Sequence, residues 1–250
     1  MRVEKWAFHV YFLRGMFENR SYMRAPSSRS RWSLTSILLA VNVGAFLLEC
    51  LYHGYPPRIP DNDYFALSVQ GLAHGYLWQL ITYQFMHAGF LHLFLNCWVI
   101  FVFGREMEAA LRPKQFFTLY FASGVMGGLV QMGGALVWPS HFGGAVVGAS
   151  AAALGLVAAF AALYPERLLM LLLFFIIPLT VRAKNLLLGI AIASLFCIVF
   201  PHSFLAMLLG GNIAHAAHLG GMLTGYVFAI WIFKRSRAPL EEIVVESQSL

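Results

Sequence analysis

Six long apolar stretches, separated by short polar segments rich in Arg and Lys, set the pattern of this 250-residue chain. They lie at Leu34–Leu51, Phe85–Phe103, Phe116–Val137, Ala145–Leu163, Leu186–Phe200 and Ile213–Phe233. A helix needs roughly 20 apolar residues to cross the hydrocarbon core, and the fourth and fifth stretches sit at the lower limit. A further run, Leu168–Leu179, is only about a dozen residues long, a length typical of interfacial or re-entrant segments. The pattern predicts an all-α, polytopic membrane bundle of six transmembrane helices forming one domain, 34–233. A basic segment, 1–33, precedes it, and a polar tail, 234–250, follows.

Composition agrees. Hydrophobic residues make up 60% of the chain and charged ones 11%, against about 45–50% and about 25% in soluble domains. A soluble enzyme, a disordered tail and a disulfide scaffold are excluded. Cys50, Cys97 and Cys197 lie in or beside apolar spans without metal-ligand spacing and read as small core residues.

The net charge of +6 is explained by position. With six spans, 16 of the 17 basic residues fall on one side, and only Arg58 on the other. Both termini are therefore expected in the cytoplasm, and no nucleic-acid partner is implied. Were Leu168–Leu179 to cross, the basic clusters would be divided between the two sides. Between the arginines of 1–33 there is no apolar run of signal-peptide type. Residues 6–13 are weakly amphipathic, suited to an anionic lipid surface. The compact chain, without an evident presequence, leads us to expect a bacterial plasma membrane.

Strongly polar groups inside apolar spans are costly and mark candidate functional sites. Glu49 lies near the outer end of the first span, followed by His53. His87, His92 and Asn96 mark the start of the second, Ser150 opens the fourth, and His215 and His218 open the sixth. Spans two, four and six share a direction, so these groups occupy one layer in the outer half of the bilayer. Small residues at 148–155 and the Gly221/Gly225 pair let spans four and six approach closely, as a serine and its base require. The same GxxxG spacing at Gly124 and Gly128 reads as ordinary helix packing. By residue type alone, Ser150 is either a packing serine or a nucleophile. His218 is either an interhelical histidine or a base, with His215 one turn earlier as a competitor. A zinc site from four histidines lacks any HExxH or carboxylate partner.

The order and spacing of Gly148-Ala149-Ser150, Ala217-His218-Leu219-Gly220-Gly221 and His87-(four residues)-His92-(three residues)-Asn96 resembles the rhomboid family of intramembrane serine proteases. The segment Tyr83-Gln84-Phe85-Met86-His87-Ala88-Gly89-Phe90 is similar to the family's approach to the second span. The resemblance implies a Ser–His dyad, with Ser150 as nucleophile and His218 as general base and acid, and no third carboxylate. It further implies oxyanion donors from His92, Asn96 and the Ser150 N–H, with His87 shaping the cavity or its waters. No metal or cofactor is expected. The implied partners are transmembrane protein substrates, entering laterally from the lipid bilayer. The alternative is a catalytically inactive rhomboid-like protein that binds membrane clients, although such relatives typically lose the serine or histidine. A solute pathway would need polar residues at several depths, and the inner halves of these spans are nearly all apolar.

Three positions depart from the family pattern. Gln79 follows Trp78 where arginine is frequent, which bears on docking of the loop after span one. Ala151 stands where glycine commonly follows the serine, with a methyl expected to narrow the substrate cleft. Leu154 replaces an aromatic found beneath the histidine in some members. Glu108, at the inner end of span two, is kept and is expected to anchor loops.

Overall fold

The computed structural model describes residues 33–173, 177–204 and 213–248, with side chains for 33–171, 178–204 and 213–232. The amino-terminal basic stretch, including 6–13, lies outside the described residues. Helix α1 (Leu34–His53) is followed by a long loop that carries two short helices, α2 (Val69–Ala73) and α3 (Gln79–Thr82). A 3₁₀ turn at Tyr83–Phe85 leads to α4 (Phe90–Ala110), whose middle, Ile100–Gly104, is a π turn. Then come α5 (Pro113–Val137), the short α6 (Pro139–Phe142) and α7 (Ser150–Leu163). A hairpin of β1 (Leu168–Leu173) and β2 (Ile177–Arg182) precedes α8 (Ala183–Val199) and α9 (His215–Gln248).

The molecule is mostly helical, and α1, α4 and α5 are each long and apolar enough to cross a membrane. Helices α7 and α8 are apolar but shorter. At 14 residues, α7 extends only about 21 Å, short of the hydrocarbon core's ~30 Å. It is also apolar on every side, which suits a helix buried within a bundle rather than one facing lipid. Residues Ala151–Ala153 and Gly155–Ala161 are all buried, packed against α4, α5, α8 and α9. The core around α7 is built from Ile100, Phe103, Phe116, Leu119, Tyr120, Leu156 and Phe160.

The chain departs from expectation in three places. Leu168–Leu179 is neither helix nor irregular segment: most of it forms the antiparallel hairpin, with Leu169 opposite Val181 and Leu171 opposite Leu179. The all-α expectation is corrected there. Pro178 lacks the N–H a helix interior needs, and strand pairing satisfies the backbone instead. The hairpin base is tied by Glu166, which accepts from Lys184 and pairs with Arg182 at 3.0 Å. The Lys184 bond, with the charges of Lys184 and Arg182, holds this exposed carboxyl below the usual carboxylate range. The second span begins at Phe90 instead of Phe85, and it continues to Ala110 because the break comes only at Leu111–Pro113. The backbone of α9 itself runs unbroken to Gln248, through the polar segment that follows the sixth span.

Glu108 starts α1. Its carboxylate accepts the Leu34 and Thr35 N–H groups at 2.7 and 3.0 Å and the Thr35 hydroxyl at 2.7 Å. It thus caps from a neighbouring helix the N–H groups that a helix start leaves unpaired, where the macrodipole favours an anion.

The loop after α1 docks through Gln79, which is fully buried. Its Oε1 accepts Ser68 N–H at 3.2 Å, and its Nε2 donates to the carbonyls of Asp63 (3.0 Å) and Tyr64 (3.4 Å). Glutamine therefore docks this loop through both donor and acceptor, where arginine would offer donors alone. Gly71 makes the room, since a Cβ there would lie 2.1 Å from Gln79 Oε1. The Tyr64, Tyr76 and Trp78 rings stack over the same loop.

Gly124 and Gly128 also serve this region. A Cβ at Gly124 would strike the Gln84 side chain at 2.1 Å, and one at Gly128 would strike Leu67 at 2.7 Å. They seat the segment before α4 against α5, rather than a second helix. The loop then reaches the turn before α7 through a two-bond bridge, Leu67 N–H to Val146 O (3.0 Å) and Val146 N–H to Leu67 O (2.8 Å).

Candidate active site

Three helix starts build the site. Ser150 is the first residue of α7, and no side chain caps that helix. The opening N–H groups of α7, Ser150's included, have no intrahelical acceptor and form an anion-favouring end. His218 lies in the first turn of α9, His92 in that of α4.

Ser150 Oγ and His218 Nε2 lie 2.9 Å apart, a hydrogen bond between residues 68 positions apart in sequence. Glycine backbone contact brings their helices together. A Cβ at Gly221 would lie 2.1 Å from Ala151 O, and one at Gly225 would lie 2.1 Å from Gly155 O. Gly127 of α5 closes the third side, where a Cβ would sit 2.6 Å from both Ala151 Cβ and Ala217 O. The Ala151 methyl therefore points into the α5 contact and is 1% exposed, so it does not narrow a cleft as expected. Leu154 is half-buried against the main core.

The turn before Ser150 depends on Gly148, whose φ of +127° a side chain rarely adopts. Its N–H donates to Tyr83 O at 2.9 Å. A Cβ there would lie 2.8 Å from His92 Cε1 and Nε2 and 3.7 Å from Ser150 Oγ. The absent side chain leaves the space through which the His92 ring approaches the serine turn.

Asn96 is buried one turn further along α4, and its Nδ2 donates to His92 O at 3.0 Å. An amide NH₂ has two hydrogens, so one is left to donate elsewhere. His87 is not on this helix. It lies in the link before it, fully buried, with its ring edge-on to His92 at 5.2 Å between centroids. Its Nδ1 lies 3.1 Å from Phe85 O. His215 stands 5.7 Å from His218 between ring centroids, and neither of its ring nitrogens has a hydrogen-bond partner among the described residues.

The profile of the family described as Rhomboid domain matches residues 74–235, which contain every one of these groups. The chain belongs to the rhomboid family. Among its relatives is the Bacillus subtilis protein named "Putative rhomboid protease YdcA", 30% identical over 159 residues, 64% of this chain and 69% of that one. The yeast Saccharomyces cerevisiae "Rhomboid protein 1, mitochondrial" is 26% identical over 206 residues, covering 81% of this chain and 54% of the relative. A shorter match, 34% over 65 residues, links 26% of the chain to 18% of the Arabidopsis thaliana "Inactive RHOMBOID-like protein 8". The chain thus spans about two thirds of the bacterial relative and about half of the yeast one. Rhomboid membership and the apolar helices together make it an integral membrane protein.

Within this rhomboid fold, Gln131 escaped the sequence reading, and Tyr83 entered it only as part of the approach to the second span. Gln131, buried in the C-terminal half of α5, accepts the Ala217 N–H at 3.3 Å and donates to Phe142 O at 3.2 Å. It thereby pins the turn that carries His218. A glutamine inside an apolar span was the available signal. Tyr83 is buried, and its hydroxyl donates to Gly124 O at 2.6 Å. With its carbonyl on Gly148, it fixes the serine turn to α5.

Proposed function

We propose that this rhomboid protein is an intramembrane serine endopeptidase that hydrolyses peptide bonds in or near transmembrane segments of other membrane proteins. The observation that carries the proposal is the 2.9 Å hydrogen bond between Ser150 Oγ and His218 Nε2, at the uncapped start of a buried helix. His218 takes the Ser150 proton as the oxygen attacks the substrate carbonyl. The resulting oxyanion is held by the Ser150 N–H, His92 and the free Asn96 hydrogen, each such donor commonly supplying about 2.7–4 kcal/mol. His218 then hands its proton to the departing amine. Water, deprotonated by the same histidine, releases the acyl group and restores Ser150.

In this reading the chain crosses the membrane six times, with both termini on the cytoplasmic side and the site in the outer half of the bilayer; the distribution of basic residues supports that orientation. Residues 1–33 and 234–250 form the cytoplasmic segments around the membrane domain. Transmembrane protein substrates enter from the lipid. The inactive, client-binding alternative draws on the short match to an inactive relative, but the presence of both Ser150 and His218 favours the enzyme. Cleavage of a generic transmembrane reporter by detergent-purified protein tests the reading. Wild type is expected to cut and Ser150→Ala to be inert; equal cutting by both overturns it.

A further inference from the structure

Glu49 is a carboxylate set near the outer end of an apolar helix, 8% exposed, a placement that is costly without a partner. Among the described residues, no basic side chain forms an ion pair with it. The nearest histidine along α1, His53, pairs instead with Asp63 at 3.5 Å, and the other Asp63 oxygen is taken by the N–H groups of Phe65 and Ala66. The bond Glu49 does make crosses 38 residues: its Oε2 accepts the His87 N–H at 3.0 Å.

That N–H belongs to the link between the 3₁₀ turn and α4, where Met86 is extended and helical bonding starts only beyond Gly89. Among the described residues, the Glu49 bond is the hydrogen bond that ties the link Met86–Gly89 to another part of the chain. It fixes the backbone of His87, whose buried ring lies edge-on to His92. His92 in turn lies against the Gly148 turn that carries Ser150. The acceptor is itself buried, so losing it leaves the His87 N–H without a partner away from water, which suits an anchor for this link.

We infer that Glu49 is a positioning residue for the oxyanion donor His92, acting through the backbone and ring of His87. The inference rests on the proposed protease reading. Loss of the anchor lets the His87 ring withdraw from His92, so the donor is misplaced without any change in where substrate binds. Its signature is therefore a fall in kcat at constant KM. The loss cannot exceed that caused by removing His92 itself.

The test measures kcat and KM on a transmembrane reporter, with the full chain in detergent, for Glu49→Leu, Glu49→Gln, His92→Ala and the Glu49→Leu/His92→Ala pair. Glu49→Leu fills the same space without the acceptor and is expected to lower kcat about 10- to 100-fold, with KM within about twofold. Glu49→Gln retains a carbonyl acceptor and should keep kcat within about threefold of wild type. In the His92→Ala background, Glu49→Leu should cost no more than about a further twofold, as expected for residues acting through one another. Should Glu49→Leu fail to fold, Glu49→Asp, one methylene too short, replaces it and should show the same kcat loss. Full activity in the variant lacking the acceptor overturns the inference, as does a loss that multiplies with His92→Ala or one that appears only in KM. If Ser150→Ala also cleaves, the protease reading has failed. If Ser150→Ala is inert while Glu49→Leu is normal, only the role of Glu49 has failed.

Discussion

Replacing Gly221 with alanine tests whether backbone contact between α7 and α9 sets the Ser150–His218 geometry. The added Cβ would lie 2.1 Å from Ala151 O and 2.8 Å from Ala151 C. Those atoms are main chain at a buried residue of α7 and have no rotamer to escape into. Restoring an ordinary separation of about 3.2–3.5 Å requires the helices to part by roughly 1 Å. Applied to the 2.9 Å Ser150–His218 contact, that shift gives about 3.9 Å, beyond hydrogen-bond range. A displacement of this size costs about 100-fold in rate. Overpacking also costs about 1–3 kcal/mol of stability, against less than about 1 kcal/mol returned by alanine's better helix propensity. The assay pairs reporter cleavage with thermal unfolding in detergent. Gly189→Ala serves as the control, because nothing lies within 4 Å of its added Cβ. Gly221→Ala should lose about 100-fold in cleavage and unfold several degrees lower, whereas Gly189→Ala should match wild type or exceed its stability. Identical behaviour of the two variants would show that this backbone contact does not set the Ser150–His218 distance.

Gly148→Ala combines a φ of +127° with a Cβ 2.8 Å from the His92 ring, so kcat should fall at least about 100-fold; retained kcat contradicts the proposed His92 placement. Gln79→Ala removes one accepted and two donated bonds from a buried site. It should destabilise the fold by about 1–3 kcal/mol, read as a lower unfolding temperature and faster proteolysis within 54–82. Glu108→Ala uncaps α1 far from the serine, so it should lower stability by about 0.5–2 kcal/mol while leaving kcat per folded molecule unchanged, as active-site titration can check.

Much of the site was legible in the sequence because membrane burial makes polar residues conspicuous. Ser150, His218, His92 and Asn96 stood out against apolar neighbours, and the structure places the first three in the opening turns of α7, α9 and α4, with Asn96 one turn further along α4. The glycines at 221 and 225 were readable as close-approach positions for the same reason. What the sequence hid were partnerships between a side chain and a distant backbone. Nothing local to Glu49 indicates that it holds the His87 N–H, and nothing local to Gln131 indicates the Ala217 N–H. The direction of the Ala151 methyl was equally hidden, since it depends on the rotation of α7 relative to α5. The Leu168–Leu179 run carries no alternation from which strands could be read, because nearly every residue in it is apolar. Its pairing came from Pro178 and from length, which together disfavour a spanning helix. Gln79 shows the opposite lesson: a departure from the family pattern at one residue was compatible with loop docking once Gly71 left room for the amide.

In the proposed mechanism Ser150 is a nucleophile activated by His218. The most direct measurement of this is labelling of the intact membrane protein with a fluorophosphonate, with the modified residue mapped by mass spectrometry. A single adduct on Ser150 is expected, abolished in His218→Ala and preserved in His215→Ala. Labelling at another residue, or undiminished labelling of Ser150 in His218→Ala, would contradict the mechanism.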